Sequence, residues 1–236
     1  EMCIRDRRYV ALYSLIHLAQ SLNIFGIRGD LIAENFYVWV GYFILALWLA
    51  ERLQMAWHVF EADNLNDRNI EKFAVLGALI LVAQEYGSEV SRLQLIEQQS
   101  YEVYTSAITV LAGIMLWRIS ASIKLVISGD SSSGSLRLKL LGFLRRIIVG
   151  VAIISPLIAA IGYVNAGSAI AVPMVKTLGF LALIVILQRL TFDLYAAILN
   201  KSEEETDALA PVLIGFIITI SVLPFLAIIW LSLIHI

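Results

Sequence analysis

The chain has 236 residues, of which 60% are hydrophobic and 15% are charged, and its mean hydropathy is +0.84. Soluble globular domains average about 45–50% apolar and about 25% charged residues, so this composition is typical of a membrane-embedded protein. The formal net charge of -2 argues against a nucleic-acid partner, because such binding needs a strongly basic face. Glycine-rich phosphate loops, paired cysteine motifs and metal-spaced histidines are missing from the sequence, so we expect no cofactor, no metal site and no enzyme activity.

The two ends of the chain, residues 1–7 and 231–236, resemble translated sequencing-adapter sequence of the kind found in metagenomic fragments. Cys3, the only cysteine, lies in the first of these ends. We therefore interpret both ends as non-native and exclude them from fold reasoning, as is done for tags and scars. We also expect natural sequence to continue beyond both ends, and we expect no disulfide in the remainder.

Residues 9–27 contain no charged side chain, and a run of this length is close to the roughly 20 residues that cross a bilayer. They are the first predicted transmembrane helix. His17, Gln20 and Asn23 share one face of it. We interpret these side chains as hydrogen-bonding groups between helices, with a proton or ligand site around His17 as the alternative.

Three further helices are predicted before the middle of the chain. The second covers the charge-free residues 35–50 and continues to about residue 58, and the third covers the short apolar run 73–86. Glu85 and Glu89 begin a polar link in which Arg92 is well placed for a surface ion pair with Glu89. The fourth helix covers residues 103–117 and is extended to about 101–123. His58 and Glu61 have a common spacing and do not by themselves indicate a metal site.

The most basic stretch of the chain is residues 118–146, which carries six lysine and arginine residues against the single acid Asp130. Its centre is rich in serine and glycine and predicts a flexible linker over residues 125–137. Basic residues resist translocation, so this linker is predicted to face the cytoplasm. Four side chains of the stretch are candidate contacts for anionic lipid headgroups: Arg137, Lys139, Arg145 and Arg146.

The fifth predicted helix covers residues 140–163, and Pro156 is expected to kink it because proline removes a backbone donor and clashes with the preceding turn. Residues 165–173 are predicted to form a short turn. The seventh helix covers residues 208–230, with a second candidate kink at Pro224.

The sixth predicted helix covers residues 174–190 and ends close to a pair of opposite charges. Arg189 and Asp193 are four residues apart, which places their side chains next to each other on a helix. We interpret them as a candidate ion pair at the inner membrane boundary, because charges at this depth are functional candidates by default.

These segments predict an all-α, polytopic transmembrane bundle of about seven helices without a soluble domain. Four helices lie in residues 8–124 and three in residues 138–230. With the basic stretch inside, twelve lysine and arginine residues fall on the inner side and three on the outer side. The prediction is therefore a multi-pass protein of a bacterial inner membrane, with the lipid bilayer as its partner and Trp230 on the periplasmic side.

The segment from Leu187 to Trp230, "LQRLTFDLYAAILNKSEEETDALAPVLIGFIITISVLPFLAIIW", together with the preceding pair of predicted helices, resembles the membrane part of the large, many-helix bacterial members of the small-conductance mechanosensitive channel family. The resemblance covers about the last hundred residues. It implies a homo-oligomeric channel in which lateral helices sense tension. The family's Gly/Ala-rich pore helix and β-containing cytoplasmic domain have no counterpart in this sequence.

A secondary transporter is the competing interpretation. Transporters carry broken helices and polar residues near the middle of the bilayer. His17, Gln20, Asn23 and the proline-containing helices fit this pattern weakly, and no paired broken helices occur in corresponding halves of the sequence.

Overall fold

A computed structural model describes residues 35–58, 67–129, 136–199 and 209–231, together with a few single residues between 14 and 33. Every regular element in these ranges is an α-helix. The helices are α1 Phe36–His58, α2 Asp67–Arg92, α3 Gln98–Gly129, α4 Leu136–Ala160, α5 Val164–Leu199 and α6 Leu209–Leu231. The predicted features outside the described residues are His17, Gln20, Asn23, Glu61, the end segment 1–7 and residues 232–236.

Within the described residues, five helices are long and apolar enough to cross a membrane. The crossing segments are Ile70–Arg92 in α2, Gln98–Lys124 in α3, Lys139–Ala160 in α4, Val164–Tyr195 in α5 and Leu213–Leu231 in α6. They correspond to the third to seventh predicted spans. Helix α1 forms where the second span is predicted but is not one of the five, and most of the first span lies outside the described residues. The described part of the chain therefore has the fold of an all-helical membrane protein with five candidate spans, and the predicted total of seven stays a prediction.

The predicted turn at residues 165–173 is wrong, because α5 begins at Val164 and runs through this segment. The chain turns instead at residues 161–163, where Gly162 has a φ of 110°. Pro173 lies inside α5 and does not end it. In membranes an interior proline is tolerated, since neighbouring helices and side-chain hydroxyls satisfy the freed backbone groups.

Helix α5 also continues past the predicted end at residue 190. With 36 residues it is about 54 Å long at 1.5 Å per residue. A hydrocarbon core is about 30 Å thick, so α5 has to tilt strongly or extend beyond the bilayer. Arg189 and Asp193 consequently lie within a helix and not at its end.

Gly162 is the position where the turn between α4 and α5 depends on glycine. Its φ of 110° is a conformation that other L-residues rarely adopt, although nothing lies within 4 Å of an added Cβ. We expect Gly162→Ala to lower the free energy of unfolding by about 1 kcal/mol through backbone strain alone. Chemical denaturation in detergent micelles measures this change. Gly142→Ala, at a helical position with equally open space, is the control and should not be destabilised.

Helix α5 is the centre of the described bundle, because it packs against each of the other five helices. The core lies where it meets α2, α3 and α4. Its largest fully buried side chains are Ile80, Leu116, Ile148 and Met174, one from each of these four helices. Helices before and after the basic stretch therefore share one core.

The boundaries around the basic stretch and the first polar link differ from prediction. Helix α3 reaches Gly129 and α4 begins at Leu136, so both ends of the predicted linker 125–137 are helical, and residues 130–135 lie outside the described part. Helix α2 continues to Arg92. The predicted pair is confirmed there, with Arg92 Nη2 3.3 Å from Glu89 Oε2.

Candidate functional site

The clearest polar feature inside the bundle is an ion pair between α2 and α5. Lys176 Nζ lies 3.2 Å from Glu85 Oε1, and the two side chains keep 34% and 37% of their surface exposed. Both residues lie within candidate membrane-crossing segments. Charges in such segments are rare, pair with one another, and mark functional sites by default.

Each member of the pair is positioned by its own helix and by the neighbouring contacts. Glu85 follows the apolar half of α2, where the Tyr104 hydroxyl of α3 donates to the Ala83 carbonyl at 2.7 Å and the ring of Tyr104 covers Gly87. Lys176 follows the buried residues Met174 and Val175 of α5. The pair thus links two helices whose neighbouring turns are fixed by the core.

A second polar contact lies next to this pair and joins α5 to α6. Trp230 Nε1 donates to Thr177 Oγ1 at 3.1 Å, and the buried Thr177 hydroxyl donates to the Pro173 carbonyl at 2.7 Å. The threonine therefore bridges an indole and a carbonyl of its own helix. Further along, Gln188 Nε2 donates to Thr219 Oγ1 at 2.9 Å. These two bonds and the tilted contact between the rings of Phe180 and Phe225, whose centroids are 5.6 Å apart, attach α6 to α5.

We expect Trp230→Phe to lower the free energy of unfolding by about 0.6 kcal/mol, the average of a hydrogen bond between membrane helices. The phenyl ring keeps most of the packing but has no donor for Thr177. The control is Trp117→Phe, at an exposed position of α3. Equal effects of the two substitutions on the denaturation midpoint would show that the Trp230 bond contributes nothing.

Helices α3, α4 and α5 meet through small residues. A Cβ added at Gly113 would lie 2.6 Å from Pro156 Cγ and 2.9 Å from the Ala152 carbonyl oxygen. This carbonyl is the one that Pro156, lacking an N–H, leaves without its helical donor. A Cβ added at Gly167 would lie 2.7 Å from the Ser155 carbonyl oxygen. Glycine therefore lets both α3 and α5 approach the proline-containing turn of α4 closely.

Two hydroxyls at these interfaces are buried without a hydrogen-bond partner in the described part of the chain, those of Thr105 and Ser155. Thr109, one turn after Thr105, instead donates to the Thr105 carbonyl at 2.8 Å. A buried hydroxyl without a partner is energetically unfavourable, so these positions mark a locally less stable part of the packing.

An apolar cleft of about 430 Å³ opens between α1, α2, α3 and α5. Its walls are almost entirely hydrocarbon, for example Leu49, Ala78, Ile119 and Leu183, and Lys176 lies at one end. The volume falls within the roughly 300–1,000 Å³ that is usual for ligand pockets. No cluster of three or more His, Cys, Asp or Glu side chains that could hold a metal occurs among the described residues.

The residues predicted from sequence lie elsewhere. Arg189 is half-buried and Asp193 exposed, one turn apart on α5, and their ion pair stays a prediction. Pro156 and Pro224 lie inside α4 and α6, and the kinks stay predictions.

The candidate headgroup contacts are distributed near the start of α4. Lys139 and Arg146 are exposed, and Arg145 is half-buried with its Nε unpartnered within the described part of the chain. The side chain of Arg137 is outside the described residues. Contact of these side chains with lipid headgroups stays a prediction.

The sequence interpretation missed the Glu85–Lys176 pair, because it assigned the two residues to separate polar ends. A signal was nevertheless present. Lys176 is the single charge between residues 164 and 188, and a lone lysine in such a run needs a partner if the run is membrane-embedded. The partner's position, 91 residues earlier, is not visible in the sequence pattern.

Comparison with known proteins adds no assignment. No protein-family model matches the chain, no curated protein matches it, and no solved structure matches it.

Proposed function

We propose that this chain supplies peripheral, tension-sensing transmembrane helices of a mechanosensitive ion channel, whose pore helix and cytoplasmic domain are contributed by sequence not present here. The proposal starts from the family resemblance of residues 187–230. It includes a homo-oligomeric assembly in a bacterial inner membrane, with the basic stretch cytoplasmic.

The observation that carries the proposal is the loose attachment of α6. Only 11% of the apolar window Leu213–Leu231 is buried, against 44% for Val164–Tyr195 of α5. Phe216, Leu223 and Ile228 each expose more than half of their surface. A helix with this much exposed apolar surface and one main neighbour among the described helices, α5, is suited to move when the bilayer is stretched.

Tension acts on such a helix only through a difference between two states. A ligand or force shifts an equilibrium by its differential interaction with the two conformations, and tension favours the conformation that occupies more membrane area. In the proposed mechanism, α6 tilts away from α5 and increases this area. The polar contacts at Thr177 and Gln188 oppose the tilt.

Spin-label distances test this motion. After Cys3→Ser, one label pair is placed at Val185 of α5 and Leu223 of α6, both exposed. The control pair is placed at Ile114 of α3 and Ile153 of α4, on either side of the close contact at Gly113. In nanodiscs, added lysophospholipid should lengthen the first distance and leave the second unchanged. An unchanged first distance would rule out the motion.

A secondary transporter is the second candidate, and the Glu85–Lys176 pair is the observation that favours it, because intramembrane carboxylates often lie on ion or substrate paths. The two candidates differ under zero tension. A transporter accumulates solute in relaxed proteoliposomes and loses this activity with Glu85→Gln, whereas tension-sensing helices show no such uptake.

A further inference from the structure

Helix α5 is packed differently along its length. Eight of the fourteen residues from 164 to 177 are buried, against two, Ile184 and Ile186, among the described residues from 178 to 193. In this second part, Gly179 lines the apolar cleft, and a Cβ added to it meets nothing within 4 Å. The N-terminal part of α5 is therefore held in the core, while its C-terminal part has space beside it.

The helix is weakened where these two parts join. Pro173 has no N–H, so the Ala169 carbonyl lacks its helical donor. One turn later, the Thr177 hydroxyl donates to the Pro173 carbonyl at 2.7 Å, a back-bonding pattern that often bends helices. Lys176, between these two positions, is anchored to Glu85 of α2. Two features that favour bending thus follow one another where the core contacts of α5 end.

Helix α3 contacts the N-terminal part of α5 in a constant register. Val103 and Val164 line one surface pocket. Further along, Met115 and Val175 both approach the Cβ added at Gly77, with their nearest atoms at 3.1 and 3.8 Å. The two helices therefore run in the same direction, and their facing residues differ by 60 to 61 in number.

Helix α6 contacts the C-terminal part of α5 and runs in the opposite direction. Trp230 bonds to Thr177, at the start of this part, and Thr219 bonds to Gln188, eleven residues further along α5. The numbers of facing residues therefore have a constant sum. The contacts of α6 begin where those of the core end.

The membrane-crossing segments of α3 and α6 are consequently staggered along α5. The middle of the α3 segment, residue 111, lies beside residue 171, and the middle of the α6 segment, residue 222, lies beside residue 185. These two positions are about 20 Å apart at 1.5 Å per residue. Both segments have to share one hydrocarbon core of about 30 Å.

A straight α5 accommodates this stagger poorly. With α3 and α6 on opposite sides of α5, each about 8–10 Å from its axis, a straight α5 would have to tilt by about 35–45°, and transmembrane helices reach about 40° at most. A bend between the two parts of α5 lowers the tilt that is needed. The stagger and the weakened section therefore point to the same position in the helix.

We propose that α5 contains a hinge at residues 169–177, about which its C-terminal part and α6 move together as one body against α1–α4, and that bilayer thickness sets the hinge angle. A thinner bilayer favours the form that is shorter along the membrane normal and wider in the membrane plane. The C-terminal part of α5 then leans away from α1 and α2, and the cleft between them widens. The hinge is independent of the proposed gating motion, because gating separates α6 from α5 and the hinge keeps them together.

Spin-label distances in nanodiscs of different thickness test the hinge. After Cys3→Ser, labels are placed at Leu45 of α1 and Leu190 of α5, both exposed. The lipids are phosphatidylcholines with 20-carbon or 14-carbon acyl chains. The distance should be about 5 Å longer in the 14-carbon lipid, because Leu190 lies about 25 Å from Pro173 and a rotation of about 12° moves it by this amount. A distance that does not lengthen would overturn the proposal.

Two control pairs test whether the bodies move as units. Val185 with Leu223 reports on the C-terminal part of α5 and α6, and Ile114 with Ile153 reports on α3 and α4. Both distances should be the same in the two lipids, and a change as large as that across the hinge would overturn the single moving body. Failure of the hinge is distinguishable from failure of the proposed function, which is read from the response of the Val185–Leu223 distance to lysophospholipid.

Replacing the hinge proline tests its role. Pro173→Ala supplies the N–H that the Ala169 carbonyl lacks, so the lengthening across the hinge should fall from about 5 Å to about 2 Å or less. Pro224→Ala is the matched control, because it removes an interior proline of α6, within the moving body, and should leave the lengthening unchanged. Equal lengthening in the wild type and in Pro173→Ala would overturn the hinge. The wild-type distances test the motion independently of whether this variant folds.

Discussion

Replacing Lys176 with methionine should lower the free energy of unfolding by about 2 kcal/mol. The substitution leaves the Glu85 carboxylate without its partner at membrane depth, and removal of one member of a fully buried pair costs about 3–5 kcal/mol. The side chains are about one third exposed, which reduces this penalty. Glu85→Gln should destabilise the protein by a similar amount, because it leaves the ammonium group unpaired.

A double-mutant cycle identifies the source of this loss. If the ion pair is the cause, Lys176→Met combined with Glu85→Gln should be more stable than the sum of the single effects predicts, with a coupling of about 1–2 kcal/mol. The measurement is reversible unfolding in mixed micelles. The Arg92–Glu89 pair on α2 is the control, because Arg92 is largely exposed and such a surface pair contributes little. Strictly additive single effects at positions 85 and 176 would contradict the assignment.

Gly113→Ala is expected to lower the free energy of unfolding by about 2 kcal/mol, the usual cost of overpacking a core. The added methyl group would lie 2.6 Å from Pro156 Cγ and 2.9 Å from a backbone carbonyl oxygen. Helices α3 and α4 would have to move apart at this contact. A loss of stability would be informative, because alanine intrinsically stabilises a helix by about 1 kcal/mol relative to glycine.

The matched control is Gly150→Ala on α4, where the new methyl group meets nothing within 4 Å. This variant should be unchanged or slightly stabilised. Thermal unfolding in the same detergent, followed by circular dichroism, compares the two. If Gly113→Ala were as stable as Gly150→Ala, the close approach at the proline-containing turn would be disproved.

Much of the helical architecture was predictable because long charge-free runs have few alternatives in a membrane. The predicted helix at residues 208–230 and the observed Leu209–Leu231 agree within a residue at each end. The third predicted span, residues 73–86, was shorter than the observed helix. Its end was placed at Tyr86 because the polar residues Gln84 and Glu85 close the apolar run. The helix continues to Arg92 because polar side chains end an apolar run without ending a helix.

The error at residues 165–173 has a specific cause. Asn165, Gly167 and Pro173 are typical turn residues, and the sequence gives no reason to place them in a helix. In the structure, Gly167 is helical because its missing side chain allows contact with the backbone of Ser155, and Ser168 donates to the Asn165 carbonyl at 3.0 Å. Tertiary packing thus overrides local preference.

The candidate site was less predictable than the fold. The Glu85–Lys176 pair and the cleft both join segments that are distant in sequence, and a hydrophobicity pattern does not specify which helices become neighbours. Helix α5 has no distinctive composition that identifies it as the central helix. Conversely, the roles of Arg189, Asp193 and the basic side chains of α4 depend on the membrane boundary, so they stay predictions from sequence.

The proposed function is tested most directly by patch-clamp recording of the complete gene product in cells that lack their own mechanosensitive channels. Suction applied to an excised patch should produce stepwise currents that close when the suction is released. A variant with Trp230→Phe, which weakens the attachment of α6 to α5, should open at lower suction than the wild type. A patch that contains the expressed protein and passes no current up to the tension at which the membrane ruptures would contradict the proposal.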